Sequence, residues 1–274
     1  MMQGAKVFWF FFSKKTCFLF VLSFLVAFCM LGPFVWHVDP IALNAGPSLA
    51  PPSWSYPLGT DELGRDELAR LMRGGTETFA VALPATVLAF VLGVAYGLVA
   101  GAAPVVPARL LMRLLDALLA LPTLVVLLCG ASVLPLGTVS VSVLIGVTAW
   151  FGFARLVRTE MVALRGRDFA AAARQLGAGP WHMARVHFLP NMVPLLVANA
   201  VFLLGDSVLA LSSLSFLGLG VPPPAASWGS MLQSGLYLMD IGAWWLILPP
   251  GLLIALTLFG AASLGRSQRH AEAG

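Results

Sequence analysis

Apolar residues run almost unbroken through six stretches of this chain, and polar residues gather between them. The runs lie near residues 16–36, 78–103, 114–134, 138–156, 192–213 and 241–264. About 20 apolar residues in a helix cross a hydrocarbon core of roughly 30 Å. Backbone groups in lipid must find partners within their own segment, so the runs predict helices. No ten-residue alternation points to a barrel. The expected fold is an all-α membrane protein of about six transmembrane helices. Residues 1–36 form a tail and first span, and 37–77 an outer loop with a short amphipathic helix. Residues 78–266 form the transmembrane core, with a long polar loop at 160–191, and 267–274 a tail.

Composition agrees with lipid as the solvent. Of 274 residues, 59% are hydrophobic and 10% charged, with a mean hydropathy of +0.91. A soluble domain of this length needs far more polar surface. Lys14 and Lys15 precede the first run, as in a secretory leader. The run is long for a leader, and Gly32-Pro33-Phe34-Val35-Trp36 is no small-residue cleavage site, so a retained anchor is expected. Cys17, Cys29 and Cys129 fall inside apolar runs without a C-x-x-C, and read as small buried hydrophobes.

Charge sets the orientation. With six spans, Lys6, Lys14, Lys15, Arg109, Arg113, Arg155, Arg158, Arg165, Arg167, Arg174, Arg185, Arg266 and Arg269 fall on one side. Only Arg65, Arg70 and Arg73 fall on the other, among Asp61, Glu62, Asp66, Glu67 and Glu77. The basic side is the cytoplasm, so both termini are expected there. The pI near 9.3 follows from this asymmetry and requires no nucleic-acid partner.

Three segments between the runs carry distinct chemistry. Residues 37–60 are rich in Pro, Gly and Ser and read as loop. "GRDELARLMRG" then reads as a short amphipathic helix, with Leu68, Leu71 and Met72 on one face, Asp66 and Arg70 at i,i+4 spacing, and Gly74 as its end. It either lies on the outer membrane face near a pore mouth or packs as a linker. In the segment 160–191, "GRDFAAAARQLG" is a good helix former stopped by Gly177, and Pro180 suits the first turn of a second helix. Trp181, Ala184 and Phe188 fall on one face of that helix, and Pro190 and Pro194 mark the return to the bilayer. So short a helix needs a contact. With the Ala172-Ala173 run, its face favours docking into a partner's groove over folding back on the bundle. Lastly, Leu214–Leu232, "LSFLGLGVPPPAASWGSML", cannot continue as helix through Gly218, Gly220 and three prolines. Irregular backbone at membrane depth survives only under protein or water. The segment therefore reads as a re-entrant scoop or cavity lining rather than a simple outer turn.

Absent motifs narrow the function. The chain has no G-x-x-x-x-G-K-[ST] phosphate loop, no catalytic triad spacing and no metal-ligand spacing among His37, His182, His187 and His270. No cofactor is expected. Asp116 sits near the inner end of its run, three residues after Arg113, and reads as paired there. Asp206 lies deeper, beside Ser207, and an intramembrane carboxylate is a functional candidate. One carboxylate without a buried basic partner makes a poor proton relay, and six spans without inverted repeats argue against a secondary transporter.

Three stretches, in order, resemble one family. "LGTDELGRDELARLMRG", "FAAAARQLGAGPWHMARVHFLPN" and "LSFLGLGVPPPAASWGSML" resemble the outer loop, cytoplasmic loop and outer scoop of permease subunits of ABC importers for dipeptides, oligopeptides and nickel, of the second-permease type. "RLLDALLALP" at 113–122 resembles the family's third helix. The resemblance implies a subunit without catalysis of its own. It would work with a second homologous permease, two ATP-binding cassette subunits and an external solute-binding protein in a bacterial inner membrane. The solute it implies is a peptide, with nickel or a chelate, or a divergent subunit that no longer transports, as alternatives. The implied coupling loop contains Ala172, Ala173, Arg174, Gly177, Trp181, Arg185, Phe188, Leu189 and Pro190. The implied scoop contains Ser215, Phe216, Leu217, Gly218, Gly220, Trp228 and Gly229. Departures are Ala171 in place of the Glu that opens the loop motif and Leu211 where the family carries a carboxylate. Gly260 and Leu264 stand where it carries Asn and Asp.

Overall fold

The computed structural model describes residues 23–135 and 137–269. Residues 16–22 of the first expected span, with Lys6, Lys14, Lys15 and Cys17, lie outside them, as do residues 270–274 of the expected tail. Helix α1 (Ser23–Val35) leads into a long loop and then into α2 (Glu67–Ala102). After α3 (Val105–Leu119) and α4 (Thr123–Val133) come α5 (Thr138–Arg165) and α6 (Asp168–Gln175). The chain then runs as one uninterrupted 37-residue helix: α7 (Pro180–His182), a π-helical stretch at Met183–Phe188, and α8 (Leu189–Phe216). Helices α9 (Trp228–Leu236) and α10 (Leu248–Arg269) complete it. Among the described residues, four helices are long and apolar enough to cross a membrane, or five if α3 and α4 count as one span bent by 78°.

Several expected boundaries move, each for a local reason. The run 114–134 is not one straight helix: it breaks at Pro122, which lacks an N–H and disfavours helix in the residue before it. Gly74 does not end a short outer helix, because α2 runs straight through it. Its neighbour Gly75 is wanted for close packing, since a Cβ there would lie 2.2 Å from Cys29 Sγ and 2.8 Å from the Trp228 ring. Helix α5 continues nine residues past the expected end at 156, to Arg165. Pro190 does not break the long helix. The π-helical stretch immediately before it widens the ladder, with Leu189 N–H bonding to Ala184 O, where a proline would otherwise clash. The last span starts late: Met239–Ile241 and Trp244–Leu246 are 3₁₀ turns separated by Gly242 at φ +77°, before α10 begins.

The core is built on the α2–α5 pair. Gly93, Gly97 and Gly101 repeat every fourth residue along α2. A Cβ on them would meet Phe153 Cδ1 at 2.5 Å, Val157 Cβ at 2.5 Å and Met161 Sδ at 2.7 Å. In lipid no hydrophobic force drives helices together, so close approach through small residues supplies the contact. Phe90 stacks on Phe153 with ring centroids 5.4 Å apart. Helix α8 crosses this pair, burying Leu211 and Leu214 against Val81, Ala85 and Ile145, and Thr86 Oγ1 bonds Ser207 Oγ at 3.2 Å. On its far side Gly205 admits Ala261 of α10. Cys29 is buried as expected, but Cys129 is exposed on α4, a helix with only Leu127 and Ala131 fully covered.

Candidate functional site

The loop between α5 and α8 is a rigid helical hairpin. Asp168 opens α6 and Arg174 lies in its last turn, the order the helix dipole favours. Gly177 takes φ +87°, and two backbone bonds fix the stop: Gly177 N to Arg174 O at 3.0 Å and Ala178 N to Ala173 O at 3.1 Å. This is the paired closure that a left-handed glycine permits at a helix end. Pro180 then occupies the first turn of α7, where its missing N–H leaves nothing unpaired. Ala170, Ala173, Met183, Ala184 and Phe188 bury against Met161 and Leu164 of α5, with Leu98 and Ala102 of α2 packed alongside.

That packing divides the expected face of Trp181, Ala184 and Phe188. The inward stripe recurs every fourth residue, at Ala184, Phe188, Met192 and Leu196, and Trp181 falls off it. Ala184 and Phe188 therefore fold back on their own bundle, while Trp181 is 75% exposed. On the other side of the Gly177 turn Leu176 is 89% exposed, a residue the sequence pattern did not single out. Ala172 and Arg185 are exposed, Leu189 is half-buried and Pro190 exposed. Arg174 is engaged by its own loop: Nε donates to Ala170 O at 3.1 Å, and Nη2 donates to Arg165 O.

The scoop repeats the same closure. Helix α8 ends at Phe216, Gly218 takes φ +83°, and Leu219 N bonds Leu214 O at 2.9 Å while Gly218 N bonds Ser215 O at 3.0 Å. Ser215 is buried, whereas Phe216 and Leu217 are exposed. A Cβ on Gly220 would meet Ser215 Oγ at 2.0 Å, and one on Gly229 would meet the Ser212 carbonyl oxygen at 2.4 Å, so backbone lies directly on backbone. Ser227 caps α9 in a reciprocal box with Ser230. Trp228 is wholly buried: its Nε1 donates to Leu71 O at 3.0 Å and its ring meets Phe79 edge-on at 5.6 Å. Protein covers Gly220 and residues 226–229, whereas Leu217, Gly218 and residues 222–224 are exposed.

The segment between α1 and α2 is a packed anchor, and no separate surface helix forms there. Asp66 caps α2, accepting from Ala69 N at 2.7 Å and from Trp36 Nε1 at 3.2 Å. Both bonds go to Oδ1; Oδ2 is buried without a hydrogen-bond partner, and Asp66 does not pair with Arg70. Arg70 faces Asp61 at 3.4 Å and Glu67 at 3.8 Å instead. Asp61 also accepts from the backbone N–H groups of Leu63 and Arg65, each at 2.9 Å. Trp245 Nε1 donates to Thr60 O at 3.2 Å, tying the loop to the start of the last span.

Asp206 lines a cavity of about 350 Å³ with Thr123, Thr148, Phe151, Gly152 and Ser213. The α3–α4 break opens it: Leu118, Leu121 and Leu124 on either side of Pro122 form one wall. Asp116 does not pair with Arg113 within α3; its partner is Arg155 on α5.

The comparisons with known proteins bear on the hairpin, the scoop and the cavity. The family described as binding-protein-dependent transport system inner membrane component matches residues 93–269, which include the hairpin, the cavity and the scoop. The chain belongs to this family. The permease is 35% identical to the di/tripeptide transport system permease protein DppC of Pseudomonas aeruginosa (strain UCBPP-PA14), over 90% of this chain and 84% of that protein. It is 33% identical to the dipeptide transport system permease protein DppC of Bacillus subtilis (strain 168), over 90% and 77%. With the oligopeptide transport system permease protein OppC of the same organism it shares 30%, over 92% and 83%. It is a multi-pass protein of the bacterial inner membrane and a permease of the ABC peptide-importer type.

Proposed function

We propose that the permease forms half of the translocation pathway of an ATP-driven importer of short peptides. It pairs with a second permease, and Asp168–Asn191 is the segment on which a separate ATP-hydrolysing subunit docks. Both termini lie on that cytoplasmic side, and residues 37–66 with the scoop face the external solute-binding protein. Support for peptides as cargo comes from the relatives' names. The single observation that carries the docking assignment is the exposed pair Leu176 and Trp181, held on either side of the Gly177 turn by a hairpin whose inner face is buried. Large apolar side chains displayed on a rigid polar-side loop mark an interaction surface. With Ala171 where the family has Glu, and Arg174 occupied by its own loop, contact here rests on shape and apolar burial. Asp206 belongs to the pathway on this reading, because a carboxylate within a span faces water or protein rather than hydrocarbon.

The test is co-purification of the ATPase subunits with wild type and with a Leu176→Ser, Trp181→Ala variant, together with uptake of a labelled dipeptide and of Ni²⁺. The variant is expected to reach the membrane at normal levels, lose the ATPase and lose dipeptide uptake. Full retention of the ATPase would overturn the docking assignment. Uptake of Ni²⁺ without dipeptide would overturn the cargo.

A further inference from the structure

A different cavity, of about 680 Å³, opens between the end of α2, the start of α3 and the last turns of α5. Its charged lining residues are Arg109, Asp116, Arg155, Arg158 and Arg165. Four guanidinium groups against one carboxylate leave a net charge of +3. Asp116 is taken by Arg155, and Arg165 Nη1 donates to Gly101 O. Arg109 and Arg158 have no hydrogen-bond or ion-pair partner among the described residues, and the Arg158 Nε is buried without one. A desolvated, unpaired guanidinium nitrogen is costly unless an anion meets the group.

We propose that this cavity binds the phosphodiester headgroup of an anionic phospholipid, with Arg109 and Arg158 holding its phosphate oxygens. Guanidinium groups match phosphate with paired N–H donors, and basic pockets between helices on the cytoplasmic side suit such headgroups. A lipid fits better than a free phosphate because, Thr159 apart, the remaining side chains of the lining are apolar. Val105, Met112 and Val162 line the cavity, and Val106 and Leu110 of the same α3 are exposed beside it, a path for acyl chains. The site shares Arg165 with the base of the docking hairpin, so its occupant sits next to the loop. Arginines scattered over the headgroup layer by the orientation rule would instead be interchangeable, and that difference is testable.

The experiment is native mass spectrometry of the full chain in neutral detergent, titrated with phosphatidylglycerol or phosphatidylcholine, with and without inorganic phosphate. Wild type is expected to retain phosphatidylglycerol selectively and to keep it in millimolar phosphate. Arg109→Gln with Arg158→Gln should weaken retention about thirtyfold, the scale of two lost surface charges. Arg113→Gln, which removes one charge from α3 outside the cavity, should leave it unchanged. Arg158→Lys guards against misfolding, since it keeps the charge but loses the paired donors, and it should give a partial loss. Three results would overturn the proposal: undiminished phosphatidylglycerol retention by the double variant, equal loss in Arg113→Gln, or complete displacement by inorganic phosphate. Lost ATPase co-purification with intact lipid retention in the double variant would also overturn it, in favour of an acidic protein partner.

Discussion

Gly177 offers the sharpest test of the docking hairpin, because its substitution acts through the backbone alone. Its φ is +87°, and a Cβ placed on it meets nothing within 4 Å. The Cβ that valine adds therefore stands in open space, and the expected effect is conformational. Holding a left-handed conformation costs an L-residue roughly 1–2 kcal/mol, and a β-branched residue is at the high end. The alternative is to flip φ, which breaks the bonds from Gly177 N to Arg174 O and from Ala178 N to Ala173 O and swings α7 away from α6. Leu176 and Trp181 lie on opposite sides of this turn, so either route spoils their relative placement.

If the ATPase reads that placement, its dissociation constant for Gly177→Val should rise by a factor of about 5–30, the equivalent of that strain. Gly179→Ala is the control: this glycine has φ −72° and also has nothing within 4 Å, so alanine should bind within about twofold of wild type, the effect of a few tenths of a kcal/mol. Gly177→Asn should fall between, since asparagine visits the left-handed region at lower cost. The assay is titration of the ATPase subunits onto permease held in nanodiscs. Wild-type affinity in Gly177→Val, or equal impairment in Gly179→Ala, would refute the argument.

The remaining predictions address topology, the scoop and the cavity. Ser53 is exposed in the loop after α1; in a cysteine-free background Ser53→Cys should label from outside intact cells, and labelling only after permeabilisation would invert the orientation. Gly229→Ala puts a Cβ 2.4 Å from the Ser212 carbonyl oxygen. Backbone cannot yield cheaply, so the melting temperature should drop by several degrees, as ~1–3 kcal/mol of overpacking implies, while Gly166→Ala, whose nearest contact is at 3.5 Å, should melt as wild type. Asp206→Asn should insert normally yet reduce dipeptide uptake roughly tenfold, the scale of one lost charge-assisted contact; unchanged uptake would remove Asp206 from the pathway.

What could be read from the sequence, and what could not, divides along the range of the interactions involved. The Gly177 stop and the Pro180 start depend on backbone chemistry within a few residues, and both are where the pattern put them. Membrane-spanning length is likewise a local property, and the helices fall on the apolar runs. Gly74 misleads for the opposite reason: propensity marks a stop, but α2 runs through it, packed where Met231 Sδ and Ala226 O, distant in sequence, would lie 3.1 and 3.4 Å from a Cβ. Pro122 was visible, yet an apolar run on both sides hid a bend of 78°, and with it the wall of the Asp206 cavity. Trp181 looked like a neighbour of Phe188 because ideal α-helical spacing was assumed, whereas the π-helical stretch and the every-fourth-residue stripe separate them.

Three of the residues singled out lie at different levels of one helix. Trp181, Asp206 and Ser215 all lie on the uninterrupted helix Pro180–Phe216, about 55 Å long at 1.5 Å per residue. Its one departure from α-helical geometry is the π-helical stretch at Met183–Phe188, beside the hairpin and clamped by the buried cluster of α2 and α5. Beyond it, Thr86 and Gly205 hold α8 against α2 and α10 by contacts that tolerate little sliding. Between Trp181 and Asp206 the helix also carries Pro194, whose missing N–H leaves one rung of the ladder open, so a force applied at Trp181 crosses the π-helical stretch and this proline before it reaches the cavity wall.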